Sequence, residues 1–319
     1  MQRGDVQGER QNGQNAQAVG SSCQPSGRIV SDMSDLLIEP AELSELLHAS
    51  DPDEVPVLLD IRWEMSRGEP ANRQEYLAGH IPGAAFVDLE SGLSGPLRQD
   101  GAGGRHPMPG LLDAQEVFRQ AGVSDERPVV AYDGANSLAA SRAWWLLKYY
   151  GQDEVRVLNG GYAAWTAAGL PTESGESVVV RGDIVLVPGG RQLLDADGVY
   201  HYLDRHQVVD ARPADRFRGQ NETIDPVAGH IPGAISIPTL KNVDETGRFL
   251  PADDLELRFT ARGVNPQKRT AIYCGSGVQA CHMALAMEAA EVGHHDPAVY
   301  IGSWSDWISD PERSIASGA

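Results

Sequence analysis

Gly79-His-Ile-Pro-Gly-Ala84 recurs unchanged as Gly229-His-Ile-Pro-Gly-Ala234, 150 residues further on. Other matches keep the same order and nearly the same spacing. Leu58-Leu-Asp60-Ile-Arg62 returns as Val208-Val-Asp210-Ala-Arg212, also offset by 150. Val130-Ala-Tyr132-Asp133-Gly134 returns as Ala271-Ile-Tyr273-Cys274-Gly275 at an offset of 141. Gly160-Gly-Tyr-Ala-Ala-Trp165 returns as Gly302-Ser-Trp-Ser-Asp-Trp307 at 142. Ordered matches at a nearly constant offset mark a duplicated unit.

Within each unit, short apolar runs alternate with segments of helical spacing. Residues 55–60, 128–132, 155–158 and 271–273 read as buried strands, and 39–49, 113–121, 137–150 and 278–290 as helices. Strands alternating with helices predict βαβ units, hence an α/β fold of two tandem domains, each a mostly parallel sheet flanked by helices. The first domain spans 34–172 and the second 194–319, with a linker at 173–193 where Gly, Ser and Pro gather. A strand is expected in the linker region, at 177–180 or 184–187. Residues 1–33 are rich in Gln, Gly, Asn and Ser without apolar periodicity. They read as a disordered extension in which Cys23 is a spectator.

The 319 residues are 41% hydrophobic, enough for two cores, and carry a net charge of −19. That charge argues against nucleic acid or an anionic membrane as partner; a small anionic substrate would need a local positive pocket. No apolar run approaches a membrane span, and the first residues lack a secretory pattern. Three cysteines form no disulfide framework and suggest a reducing, cytoplasmic setting. No Cys or His pair stands at ligand spacing near Cys274, so no metal is expected.

The segment Thr270-Ala-Ile-Tyr-Cys274-Gly-Ser-Gly-Val-Gln-Ala-Cys281-His282 places a cysteine between a strand and a helix. In parallel α/β sheets, reactive groups gather beyond the carboxyl ends of the strands. Loop amides and a helix N-terminus there favour a thiolate, making Cys274 the candidate nucleophile. The duplication supplies a control: the same position in the first half is Asp133. An acid exchanged for a thiol at a strand tip suggests one catalytic and one inactive copy.

These motifs, with the first-half stretch Ser137-Leu-Ala-Ala-Ser-Arg-Ala-Trp-Trp145, resemble the two-domain rhodanese family. The Cys-Gly-Ser-Gly-Val loop is closest to its 3-mercaptopyruvate sulfurtransferase branch. The resemblance runs from about Met33 to the C-terminus. It implies that Cys274 takes a sulfane sulfur from 3-mercaptopyruvate or thiosulfate, holds it as a persulfide, and passes it to a thiol such as thioredoxin or to cyanide, with no cofactor. The amides of Gly275, Ser276, Gly277, Val278, Gln279 and Ala280 would hold the persulfide anion. Thiosulfate-type members carry basic residues directly after the cysteine; Gly275 and Ser276 are neutral, which favours the singly charged keto acid. Gln279 stands where threonine is common in the family.

Arg216 matches the family's substrate-binding arginine; a surface ion pair is the plainer reading. Its counterpart in the first half is Ser66. A second substrate arginine of some members has no match, and Asp225 stands near its place. His106 resembles a first-domain histidine that reaches the cleft, where it could move a proton or serve only as a loop residue. Its neighbour Arg105 could add positive charge. Ser276 reads equally as a turn residue or as a hydrogen-bonding partner of the donor. Arg62, Arg212, His80 and His230 occur in both halves and read as structural. Cys281 and the tryptophans at 144, 145, 304 and 307 read as packing residues. A cysteine phosphatase would need an arginine at position 280, which is Ala280. The non-enzymatic alternative is a persulfide carrier or redox-binding module on the same fold.

Overall fold

The computed structural model describes residues 33–65, 67–293 and 296–318. The expected disordered extension, with Cys23, and Ser66 lie outside the described residues, apart from Met33, which begins a short helix.

Two five-stranded sheets share one topology. In the first half the strands are β1 (Leu37–Ile38), β2 (Val57–Asp60), β3 (Ala85–Phe86), β4 (Val129–Tyr132) and β5 (Val155–Leu158), in the order β1-β5-β4-β2-β3. In the second they are β6 (Leu193–Leu194), β7 (Gln207–Asp210), β8 (Ile235–Ser236), β9 (Thr270–Tyr273) and β10 (Ala298–Tyr300), in the order β6-β10-β9-β7-β8. Every strand pairing is parallel, and the register repeats: Asp60 lies opposite Tyr132 as Asp210 lies opposite Tyr273. Strands β2, β4, β7 and β9 are buried throughout, which is why they read as continuous apolar runs.

The expected linker strand does not form. Residues 171–192 run as irregular chain over the first domain. Only Ile184 and Leu186 are buried there, while Val178, Val180, Val185 and Val187 face solvent. The backbone bonds to the helix-end residues Arg119 and Val123 and to the Asp125 and Gln115 side chains, so no sheet edge receives it. Buried and exposed side chains alternate along it, but as one face of a packed coil.

The two halves meet through the helices Leu138–Tyr149 and Val278–Ala289, which pack on each other. Gln279 is the one residue of Val278–Ala289 that is not buried, as befits a helix enclosed on all sides. Trp144, Trp145, Trp304, Trp307 and Cys281 are all core residues, as expected.

Residues present in both halves are structural. Arg212 holds Asp210 through Nε and Nη2 at 2.6–3.1 Å, bonds the Gly229 carbonyl at 2.7 Å and lies over the Trp304 ring. Arg62 repeats this with Asp60 and Gly79. His230 and His80 bond the carbonyls of Phe217 and Tyr76 and anchor the turns that follow.

Candidate active site

Cys274 follows β9 directly, at its carboxyl end, and is 1% exposed. Gly277, at φ +87°, bends the loop so that its N–H donates to Cys274 Sγ at 3.1 Å and the helix starts at Val278. A side chain at position 277 would stand 2.5 Å from the Ile301 carbonyl oxygen, so only glycine fits the turn. The loop is tied to the next turn of chain. Cys274 N–H donates to Ser303 Oγ at 3.0 Å, and the N–H groups of Trp304 and Ser305 donate to the carbonyls of Cys274 and Gly275. Ser303 Oγ lies 3.9 Å from Sγ and donates to the Tyr300 carbonyl. Ser303 holds φ +55°, where the first half has Gly161 at φ +58°. A left-handed serine retained at a strand tip marks a site that its hydrogen bonds over-determine.

The first-half copy shows what such a loop holds. Asp133 Oδ1 accepts from the N–H groups of Ala135 and Ser137, and Oδ2 from those of Ala139 and Ala140, at 3.0–3.4 Å. The Asp133 carboxyl group fills the first cradle. Burial pushes its pKa up while the four amides pull it down. Counting from each helix start, Ala139 and Ala140 correspond to Gln279 and Ala280. The amides of Gln279 and Ala280 thus hold, in the second half, the helix positions whose counterparts cradle Asp133 Oδ2.

The first domain reaches this site through the loop 101–109. Gly103 and Gly104 take left-handed conformations, and the loop lies on the second domain, with Gly103 N–H on Asp306 Oδ1 and Arg105 N–H on Ser305 Oγ. His106 Nδ1 thereby comes 2.7 Å from Ser276 Oγ, and Nε2 lies 3.2 Å from Glu90 Oε1. Burial lowers the pKa of His106 from 6.5, with Glu90 opposing. In its neutral form, with Nε2–H donated to Glu90, the ring accepts the Ser276 hydroxyl at Nδ1. Arg142, wholly buried on the interdomain helix, braces this loop: Nη2 donates to the carbonyls of Leu93, His106 and Pro107.

A pocket of about 190 Å³ opens on Cys274, lined among others by Trp63, Arg105, Arg216, Ile224, Ser276 and Gln279. Arg216 is not a surface ion pair. It is buried, with Nε on Glu222 and Nη2 on Asp225 at 2.8 Å. The structure thus brings Cys274, Arg216, Gly275, Ser276, Val278 and Gln279 to one pocket. His106 stands behind Ser276, which lines the pocket, and is joined to it by the 2.7 Å contact. Gly277 and Ala280 also have no place on the wall, so they can serve only through their backbones. Glu90 and Arg142 carried no signal in the sequence. Ser303 carried one, the exchange of Gly161 for serine within a repeated motif.

The Rhodanese-like domain model matches residues 39–168 and again 195–310. The chain belongs to the rhodanese family. It is 43% identical over 275 residues to the "Probable 3-mercaptopyruvate sulfurtransferase" of Pseudomonas aeruginosa, covering 84% of this chain and 94% of that one. It is 33% identical over 280 residues to the thiosulfate sulfurtransferase of Gallus gallus, covering 85% and 93%. The crystal structure of the 3-mercaptopyruvate sulfurtransferase SseA of Escherichia coli aligns with a TM-score of 0.70 at 32% identity, over 84% of this chain and 98% of that one. Both halves of this chain are thus rhodanese domains, and only the second carries a cysteine at the strand tip. Among the described residues, no helix is long and apolar enough to cross a membrane.

Proposed function

We propose that this sulfurtransferase draws sulfur from 3-mercaptopyruvate in preference to thiosulfate, carries it as a persulfide on Cys274, and delivers it to a thiol or to cyanide. The carrying observation is that Ser276, two residues after the nucleophile, is hydrogen-bonded to His106, whose other ring nitrogen lies against Glu90. A keto-acid thiol needs a proton moved during transfer, and thiosulfate does not.

In the first half-reaction the Cys274 thiolate attacks the donor sulfur. An S–S bond forms and the donor's C–S bond breaks, its electron pair passing to carbon as the enolate of pyruvate. The donor's thiol proton ends on that carbon, giving pyruvate and the persulfide anion, with charge conserved. Ser276 and His106 are placed to relay it. The amide of Gly277, with those of Gln279 and Ala280, holds the charged sulfur as an oxyanion hole holds oxygen. In the second half-reaction an acceptor thiolate or cyanide attacks the outer sulfur, the S–S bond breaks, and Cys274 leaves as thiolate. A cytoplasmic acceptor such as thioredoxin fits this chemistry.

The test compares 3-mercaptopyruvate and thiosulfate as donors, with cyanide and a dithiol as acceptors, in the wild type and in Cys274→Ser. Intact mass after donor treatment should show one added sulfur in the wild type and none in the variant. Mercaptopyruvate should have the higher kcat/KM. Turnover by Cys274→Ser would remove Cys274 from the chemistry, and a strong thiosulfate preference would overturn the choice of donor. A wild type that loads sulfur but releases none to any acceptor would favour the carrier alternative.

A further inference from the structure

Two guanidinium groups, one from each domain, converge above the loop that follows Cys274. A methyl group at Gly275 would stand 2.9 Å from Arg105 Nη2 and 3.6 Å from Arg216 Nη1. Those are the nitrogens left over after each arginine has paired. Arg105 gives Nη1 to Asp225 Oδ1, and Arg216 gives Nη2 to Asp225 Oδ2 and Nε to Glu222. Asp225 is therefore a clamp between the domains, with a side chain 2% exposed. It holds the two forks side by side with their free edges toward the pocket. The pairing also limits the charge. Arg105 and Arg216 are matched by Asp225 and Glu222, so the pocket offers directed N–H donors with no net excess of positive charge.

We infer that Arg105 is the second anion-binding group of this site, supplied by the otherwise silent domain, and that Asp225 sets donor selectivity by admitting a monoanion and opposing a dianion. This rests on the donor chemistry proposed above. A carboxylate can take one N–H from each guanidinium without displacing Asp225. A second negative charge would face the clamp carboxylate, and specificity commonly comes from such a repulsive element. The sequence offers Arg105 only as added positive charge, and it places an acid, Asp225, where some family members have a second arginine. The compensating arginine lies 120 residues away on the other domain.

The test uses Arg105→Ala, Arg105→Lys and Asp225→Asn in the full chain, with melting curves to confirm folding. Arg105→Ala should raise KM for 3-mercaptopyruvate at least tenfold, with a smaller change in kcat. Arg105→Lys, which keeps the charge but loses the planar fork, should recover part of it. Asp225→Asn, nearly isosteric, should move the ratio of kcat/KM for thiosulfate over mercaptopyruvate severalfold toward thiosulfate. An unchanged KM in Arg105→Ala, or an unchanged donor ratio in Asp225→Asn, would overturn the inference. Should the wild type turn over neither donor, the proposed function fails, but the anion site is still read by protection of Cys274 from iodoacetamide. Pyruvate should protect better than sulfate, Arg105→Ala should weaken pyruvate tenfold, and Asp225→Asn should strengthen sulfate. Equal protection by both anions in all three proteins would refute it.

Discussion

Gly277→Ala puts the loop geometry to its most direct test. Alanine at φ +87° pays the left-handed penalty of about 1–2 kcal/mol. Its methyl group would also stand 2.5 Å from the Ile301 carbonyl oxygen and 3.1 Å from Arg142 Nη1. A backbone oxygen cannot swing aside, so the loop must move, at an overpacking cost of about 1–3 kcal/mol. Together these give a destabilisation of about 2–5 kcal/mol, a large part of an ordinary folding free energy. The same movement takes the 277 N–H away from Cys274 Sγ, where it now donates at 3.1 Å. Loss of that hydrogen bond, worth about 0.5–1.5 kcal/mol, should slow alkylation of Cys274 about twofold to tenfold. Urea denaturation reads the first effect. Iodoacetamide labelling followed on the Cys274 peptide reads the second, apart from Cys23; Cys281 stays silent because burial pushes its thiol up to about 12. Gly275→Ala is the matched control. Its methyl group would meet only the movable ends of Arg105 and Arg216, so stability should change by less than about 1 kcal/mol. A Gly277→Ala protein as stable as Gly275→Ala, with wild-type labelling, would refute the account of the turn.

His106→Asn should lower kcat about 100-fold with mercaptopyruvate, the lower range for a lost proton relay, and far less with thiosulfate; equal losses would mean a structural role. Because burial depresses the His106 pKa below 6.5, activity should hold through neutrality and fall only on acidification below that value. Stability should run with it: the unfolded histidine takes a proton near 6.5 and the folded one resists, so the His106 contribution is lost as pH drops from there. Asp133→Ala should cost about 2–4 kcal/mol, since four loop amides lose their acceptor, yet leave sulfur transfer per folded molecule unchanged; a fall in kcat would give the silent loop a part in the reaction.

Much of the fold was legible because its signals are local. The apolar runs that became β2, β4, β7 and β9 are short, continuous and buried on both faces, and their recurrence fixed the domain plan. The two-residue strands β1, β3, β6 and β8 are too short to show a period. The linker misled because coil packed on a domain can alternate buried and exposed residues as a strand does.

For the site, the sequence by itself determined the candidate nucleophile. Cys274, its glycines and the contrast with Asp133 all lie within one strand-loop-helix unit and its copy, where periodicity and comparison suffice. Only the tertiary structure decided the company Cys274 keeps. His106 and Ser276 are 170 residues apart, and Arg105 and Asp225 are 120 apart. Glu90 gains its role only by standing behind His106. These groups meet because two buried helices lock the domains face to face and a glycine-rich loop crosses the seam. Contacts across such a seam depend on how rigid bodies pack, and the spacing of residues along either body does not encode them.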